Sequence, residues 1–335
     1  MNNKFFETQE DESKVQVSHS QFKTWRECPR KWQLKYRDGL RPPDESIYFV
    51  FGTASHEALQ LYIRKMYSET VKKANQIDLK DRFQSFLKEE YDSRKEAFKQ
   101  DHPDREFPVT KKEMVQFARD GKAIIEYFRR NRSEYFPKRE WELVGIEEKI
   151  DQPLRTGISW IGYLDVVLRN RKTGKYKIID LKTSTDGWDK WKKREKKRTD
   201  QLVAYKMFYA DQLGIDPEMI EIEYLIMKRK LNEDAPYKPA RFQRFSPSDG
   251  SRSRKRVKEK INKFLDDCFE EGGAYREDKD FEQKPDKYKC AFCPYSQQHG
   301  EEGYQKCDQD GQRFLDYGEN MAPYVDDKYV GPQPE

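Results

Sequence analysis

The chain has 335 residues, room for one large domain or two ordinary ones. Charged residues make up 38% and hydrophobic ones only 35%, but aromatics at 14% exclude wholesale disorder and assign much of the core to Tyr and Phe. A net charge of +5 means that any surface for a polyanion must come from clustered cations and not from total charge.

No apolar run approaches the roughly 18 residues of a membrane span. The opening "MNNKFFETQEDESK" lacks the apolar stretch of a signal peptide. A cytoplasmic location without membrane contact is therefore expected. There the five cysteines are expected to bind metal or to sit in the core, not to pair as disulfides. A G-x-x-x-x-G-K-[ST] loop is absent, so no ATP-driven motor is expected in the chain.

Residues 1–16 are polar and expected to fray. Ser18 or Ser20 can cap a helix in which Phe22, Trp25, Cys28 and Trp32 recur at helical spacing. "RPPDES" breaks that pattern. "IYFVFGTASHEALQLYIRKMYS" reads as a short extended entry, a Gly turn and an amphipathic helix. Residues 70–138 read as helical, with breaks at "DHPDREFP" and near "YFPKRE".

Then the period changes. "WELVGIEEKI", "SWIGYLDVVLRN" and "KYKIIDLKTS" are β-rich, the last two joined by a Thr-Gly-Lys turn. "TDQLVAYKMFYADQLG" is a helix stopped by Gly214 and Pro217. "EMIEIEYLIMKRK" and "ARFQRFSPS" form a strand pair around a polar loop, and "SRSRKRVKEKINKFLDDCFEEGG" is a further helix. The order predicts an α/β fold with a helical insertion over 57–140 and a core over 141–230. Residues 311–335 form a polar tail.

Asp180 and Lys182 have one residue between them, which puts both side chains on one face of a strand and Leu181 on the other. Asp165, in the preceding strand, approaches Asp180 if the two strands pair. Two converging carboxylates repel unless one is protonated or a cation lies between them. Carboxylate oxygens and water are the usual ligands of Mg or Mn, and a lysine beside the metal can position an attacking water. Alone, an Asp-x-Lys is most often a surface salt bridge. Three neighbours change that balance. His56 stands early on a helix, and imidazole is a good Mn ligand. Gln201 and Tyr205 share a helix face. Glu147 and Glu148 lie on the first strand, where one of them must face inward.

The order G-x-x-x-H (Gly52, His56), E (Glu147), G-x-x-D (Gly162, Asp165), D-x-K (Asp180, Lys182) and Q-x-x-x-Y (Gln201, Tyr205) resembles the RecB-like branch of the PD-(D/E)XK nuclease superfamily. "SHSQFKTWRECPRKWQLKY" resembles that group's N-terminal segment, and the likeness covers most of residues 17–310. It implies a restriction-endonuclease-like mixed central sheet flanked by helices, and phosphodiester cleavage using one or two Mg or Mn ions. Residue by residue it implies metal ligation by His56, Asp165, Asp180 and the Leu181 carbonyl. Lys182 becomes the catalytic lysine, Gln201 and Tyr205 orient the site or contact DNA, and Glu147 is an auxiliary acid. The acid of the D-x-K pair is Asp180 where many relatives carry Glu, and the group accepts both.

Cys290 and Cys293 form a C-x-x-C, Cys307 follows after 13 residues, and Cys28 lies far upstream. This is similar to the iron–sulfur nucleases of the group, the CRISPR-associated and AddB-type enzymes, although their last gap is shorter. The resemblance implies a 4Fe–4S cluster on Cys28, Cys290, Cys293 and Cys307 that staples the N-terminal helix to a segment over 285–310. Structural zinc fits four thiolates too, with His299 a substitute for Cys307, and an arrangement without metal is the remaining alternative. Cys268, at apolar helical spacing, reads as a core thiol.

Seven of the nine residues from Lys190 to Arg198 are basic. Most such runs are solvated faces. Here Lys190, Lys192, Lys193, Arg194, Lys196, Lys197 and Arg198 are expected to track a nucleic-acid backbone, with Trp188 and Trp191 stacking on unpaired bases. "SRSRKRVKEK" is a second such run. Together these features lead to the expectation of a metal-dependent DNA exonuclease acting on single-stranded or free ends, in recombination, repair or CRISPR-type adaptation, in a bacterial or phage-infected cell. The alternative is a catalytically weak DNA-binding subunit of a helicase–nuclease or packaging assembly.

Overall fold

The structure, a computed structural model, describes residues 14–232, 239–278, 281–297 and 300–307. The expectations for residues 1–13, for His299 and for the tail from 311 lie outside the described residues. Val15 and Gln16, within the stretch expected to fray, already belong to a strand, β1 (Val15–Val17). Ser18 starts α1 (His19–Glu27) by accepting the Gln21 N–H at 3.4 Å. Cys28 is extended and ends the helix; Pro29 then opens α2 (Pro29–Trp32) at a position where its missing N–H costs nothing.

The expected extended entry before Gly52 is replaced by helix. α3 (Ile47–Ser68) runs through Gly52 without interruption. Ile47, Val50, Phe51, Ala54 and Ala58 form one buried stripe, and burying it outweighs the roughly 1 kcal/mol that a helical glycine costs. α4 (Val71–Asn75), α5 (Leu79–Asp101) and α6 (Lys111–Tyr135) follow. A capping box between Thr110 and Glu113 fixes the start of α6.

The sheet adds β2 (Trp141–Arg155), β3 (Ile158–Asn170), β4 (Tyr176–Ser184), β5 (Ile220–Lys228) and β6 (Phe242–Phe245). It is mixed: β2–β3, β3–β4 and β5–β6 are antiparallel, while β1–β3 and β4–β5 are parallel. β2 follows β3 along its whole length, so β1 and β4 share the other edge, β1 at Ile158–Trp160 and β4 at Val166–Arg169. The stretch of β3 between those pairings, which holds Gly162 and Asp165, is free of a strand on that edge. α7 (Lys190–Arg194) and α8 (Lys196–Leu213) form the crossover from β4 to β5, and Gly214 at φ +63° stops it in the left-handed region. α9 (Ser251–Cys268) and the short α10 (Lys287–Cys290) complete the described chain.

Two cores sandwich the sheet. One joins α1, α8 and α9 to Ile178, Ile222, Tyr224 and Ile226. The other joins α3, α5 and α6 to Ile179, Leu181, Leu225 and Met227. The period-2 alternation along β4 therefore sends Leu181 to the second core and Asp180 and Lys182 towards the α8 side. Along β3 the phase changes at Asp165. Ile158, Trp160 and Leu164 belong to the first core, and so does Val167, while Val166 and Leu168 belong to the second. Cys268 is fully buried in the first core, as its spacing predicts.

Candidate active site

The β3–β4 ladder ends at Val166 opposite Ile179. One step further, the register sets Asp165 opposite Asp180, where the two strands part. Asp165 Oδ2 accepts the freed Leu181 N–H at 2.6 Å and so closes the ladder with a side chain. Asp165 Oδ1 lies 3.6 Å from His56 Nδ1 on α3. Lys182 Nζ lies 2.8 Å from Asp180 Oδ2. That oxygen is buried, and Lys182 is its charged neighbour.

The charges answer one another. Burial lifts the Asp180 carboxyl to about 6, with Lys182 opposing and the Asp165 charge adding. Burial also lifts Asp165, but His56, Lys182 and the Leu181 amide prevail and hold it below the usual range. Burial pulls down His56 and Lys182, yet the two aspartates hold both above their ordinary values. The two acids are thus driven apart, one ionised and one ready to hold a proton.

α3 crosses the strand ends with one face. Gly52 stands by Thr183, His56 by Asp165, and Gln60 by Glu147. Glu147 falls opposite Asp165 in the β2–β3 register and has φ +54°, a left-handed conformation rare for a side-chain-bearing residue. Gln60 Nε2 holds it there at 2.5 Å and also reaches the Asp165 carbonyl at 3.4 Å. The sequence reading missed Gln60. Its only signal was a glutamine one turn after His56 in an otherwise apolar stripe.

On the other side, Tyr205 packs into the gap left by Gly162: a Cβ there would lie 2.9 Å from the Tyr205 ring. This close approach explains the glycine of G-x-x-D. Gln201 Nε2 donates to the Tyr205 hydroxyl at 3.2 Å, so the Q-x-x-x-Y pair acts as a unit. The structure therefore brings His56, Glu147, Asp165, Asp180, Lys182 and Tyr205 to one end of the sheet.

The basic run behaves less uniformly. Asp189 caps α7 by accepting the Trp191 and Lys192 N–H groups, both at 2.8 Å. Trp191 is 59% exposed, with Lys190 Nζ 5.1 Å above its ring. Trp188 is 4% exposed, which rules out base stacking. Its ring packs 4.8 Å from Tyr224 and under the Arg198 guanidinium at 5.2 Å, because the strand end of β4 turns it inward. Lys193 lies over Phe245, Arg198 also pairs with Glu195 at 3.2 Å, and Arg194 and Lys196 are exposed.

The cysteine segment is held by backbone. Arg30 N–H donates to the Glu282 carbonyl at 3.2 Å, Phe281 N–H to Gln33 at 3.0 Å, and the Tyr295 hydroxyl to the Leu40 carbonyl at 2.9 Å. Burial pushes the Cys293 thiol up, and Cys307 and Cys28 are among the groups whose charge reaches it. Asp286 N–H donates to Cys290 Sγ at 3.3 Å. Among the described residues, however, no three His, Cys, Asp or Glu side chains already stand together as a metal cage. The staple between the two ends of the chain is present as hydrogen bonds, and the cluster itself is not shown.

A mixed six-stranded sheet flanked by helices, with Asp-x-Lys on a central strand where its pairing with β3 stops, is a restriction-endonuclease-like fold. The chain belongs to the PD-(D/E)XK nuclease superfamily, whose family model matches residues 16–298. It is thus a nuclease by family, and the enzymes of this superfamily generally use divalent ions such as Mg or Mn. Among solved structures, a Eubacterium rectale protein named as a candidate exonuclease is similar at 16% identity. The match covers 79% of this chain and 86% of that one, with a TM-score of 0.42. The crystal structure of SSO0001 is similar at 12% identity, covering 79% and 91%, with a TM-score of 0.27. No curated protein matches the sequence. No helix among the described residues is long and apolar enough to cross a membrane.

Proposed function

We propose that this protein is a Mg- or Mn-dependent deoxyribonuclease that trims single-stranded or free DNA ends in recombination, repair or CRISPR-type adaptation. The observation that carries the reading is the meeting of Asp165 and Asp180 where the β3–β4 ladder opens, with Lys182 2.8 Å from Asp180. The donor set fits a hard cation. It comprises two buried carboxylates, Asp180 paired with Lys182, and an imidazole 3.6 Å from Asp165, although among the described residues the three do not already stand as a metal cage. Asp165, Asp180, His56 and the Leu181 carbonyl would hold the ion, which supplies an acidified water and charge neutralisation at the phosphate.

The remaining roles belong to the chain. Lys182, kept protonated by both aspartates, donates towards the attacking oxygen or the phosphate. Gln201 steers the Tyr205 hydroxyl at the open edge of β3. Gln60 and Glu147 fix the Asp165 backbone. Trp191, exposed beside Lys190, offers a stacking surface to an unpaired base, which favours single strands.

Cys28, Cys290, Cys293 and Cys307 are proposed to hold a 4Fe–4S cluster. An all-thiol donor set and the hydrogen bonds that tie Arg30 to Glu282 and Cys307 to Tyr295 support it. Iron and sulfide analysis of anaerobically purified protein tests this, and stoichiometric zinc instead would overturn it.

The catalytic reading is tested with end-labelled single- and double-stranded DNA, Mg or Mn, and Asp180→Ala. Wild type should shorten single strands from an end in a metal-dependent way, and the variant should not. Equal degradation by both would sink the site, and internal cuts in circular DNA would replace the end-trimming assignment.

A further inference from the structure

Asp200, the residue before Gln201, is 0% exposed. Its carboxylate meets a guanidinium on each side: Arg26 Nη1 of α1 at 2.8 Å from Oδ2, and Arg256 Nη2 of α9 at 2.6 Å from Oδ1. Arg26 also lies over the Phe22 ring at 5.2 Å and reaches the Lys196 carbonyl at 3.5 Å. Three helices therefore converge on one buried acid with two cations, and the node keeps an excess positive charge. A buried carboxylate is tolerated only when it is paired in this way.

A clamp between helices would need nothing more, yet the charge continues outward. Lys260, one turn after Arg256, has its ammonium pulled down by burial and then by Arg26, with Arg256 and Lys196 adding. Lys196 and Lys260 have no carboxylate partner at ion-pair distance among the described residues. Burial likewise pulls the Lys197 ammonium down to about 8, and Lys289 crowds it from α10. The patch also extends inward to the active site. His19, 8% exposed, is held near 3 by burial and then by the charges of Lys23, Lys182 and Arg26. Along α8 the link is short: Asp200 precedes Gln201, which hydrogen-bonds Tyr205 beside Gly162.

We infer that Lys196, Arg256 and Lys260, ordered by the Asp200–Arg26 pair across α1, α8 and α9, bind the phosphate backbone of the single DNA strand whose end reaches Lys182. The inference rests on the proposed nuclease reading and extends its strand track beyond Trp191. The run from Lys190 to Arg194 lies on the β6 side, where Lys193 stands over Phe245; further on, Arg198 is engaged by Trp188 and Glu195. The α9 run lies on the α1 side, at the first turn of the helix that carries Gln201 and Tyr205. Like-charged groups crowded at a low-dielectric wall are relieved by a polyanion, and a phosphate chain supplies evenly spaced anions.

The test is fluorescence-anisotropy binding of a labelled oligothymidylate to the full chain in EDTA, from 50 to 200 mM salt, in the Asp180→Ala background. Lys196→Gln with Lys260→Gln should weaken binding about tenfold and flatten the slope of log K against log salt by about 1.4, roughly 0.7 per lost phosphate contact. Lys80→Gln with Lys88→Gln, on α5, should leave both unchanged. Arg256→Lys should keep the slope; Arg256→Gln should reduce it and also lower the thermal midpoint, because it strips the buried Asp200 of one partner, whereas the Lys196/Lys260 double variant leaves that pair intact. An unaltered slope in the Lys196/Lys260 double variant overturns the track while leaving the nuclease reading intact. Wild-type protein that neither binds nor cuts DNA overturns both. A slope loss seen only with oligouridylate would assign the patch to RNA and overturn the DNA assignment.

Discussion

The strand-end site and the cysteine segment both assemble from residues that the sequence singles out, but by different means. At the strand end, backbone hydrogen bonds set the positions. The β3–β4 register alone puts Asp165 opposite Asp180, and the Leu181 amide locks the turn-off. In the cysteine segment the four thiols come from a helix break, a short helix, its following turn and an isolated bridge near Ser296. No ladder draws them together; at neither place do three His, Cys, Asp or Glu side chains already stand as a metal cage among the described residues. A site built on a sheet is pre-organised by folding, whereas one built on loops takes its final shape from what it binds.

The largest expected effect tests the pre-organised half of that contrast. Asp180→Ala should lower the cleavage rate at least about 1,000-fold, about 4 kcal/mol of transition-state stabilisation. The thermal midpoint should hold, because burial already disfavours the Asp180 charge and removing it also removes the repulsion with Asp165. A variant that melts several degrees lower would show that the acid is structural, and the contrast would fail. Next comes Trp188→Ala, which should destabilise the fold by about 3 kcal/mol by emptying a core position against Tyr224 and Phe245. Trp191→Ala should leave stability alone and weaken single-strand binding by about 1 kcal/mol. Denaturant melts and anisotropy separate the two.

Cys28→Ser addresses the loop-built half. It should cost about 2 kcal/mol and open residues 281–307 to protease, because the N-terminal helix loses its staple and keeps only bonds such as Arg30 to Glu282. Cleavage per folded molecule should survive. An unchanged melt and unchanged proteolysis would mean that the thiols hold nothing.

The same contrast explains what could be read without coordinates. Asp180, Lys182 and Asp165 were legible because a strand has a period of two and a hairpin has one register. His56, Gln201 and Tyr205 were legible by order and spacing on helices. Gln60 was not, since its role depends on the left-handed Glu147, which no local pattern announces. Trp188 and Trp191, three residues apart in one charged run, look alike in sequence. Only the path of β4 into the crossover decides which one is buried. The helical start at Ile47 was hidden by a glycine that reads as a turn, and tertiary burial overrode it. Likewise Asp200 gave no sign that two distant arginines would close on it.

The smallest effect lies where strand and helix touch. Gly162 has an ordinary backbone angle, so Gly162→Ala introduces no φ strain; it introduces a methyl. That methyl would sit 2.9 Å from Tyr205 Cε1, 3.4 Å from Cζ and 3.5 Å from the hydroxyl. Tyr205 is 7% exposed and has little room to withdraw. Overpacking of this kind costs about 1–2 kcal/mol. It should also pull the hydroxyl from Gln201 and slow cleavage about tenfold. A Tyr205→Ala change makes room for the methyl, so the double variant should be no less stable than Tyr205→Ala alone, a coupling of about 1 kcal/mol in the cycle. Additive losses would mean that the glycine serves something other than the ring, and that the open edge of β3 is not filled by Tyr205 in solution.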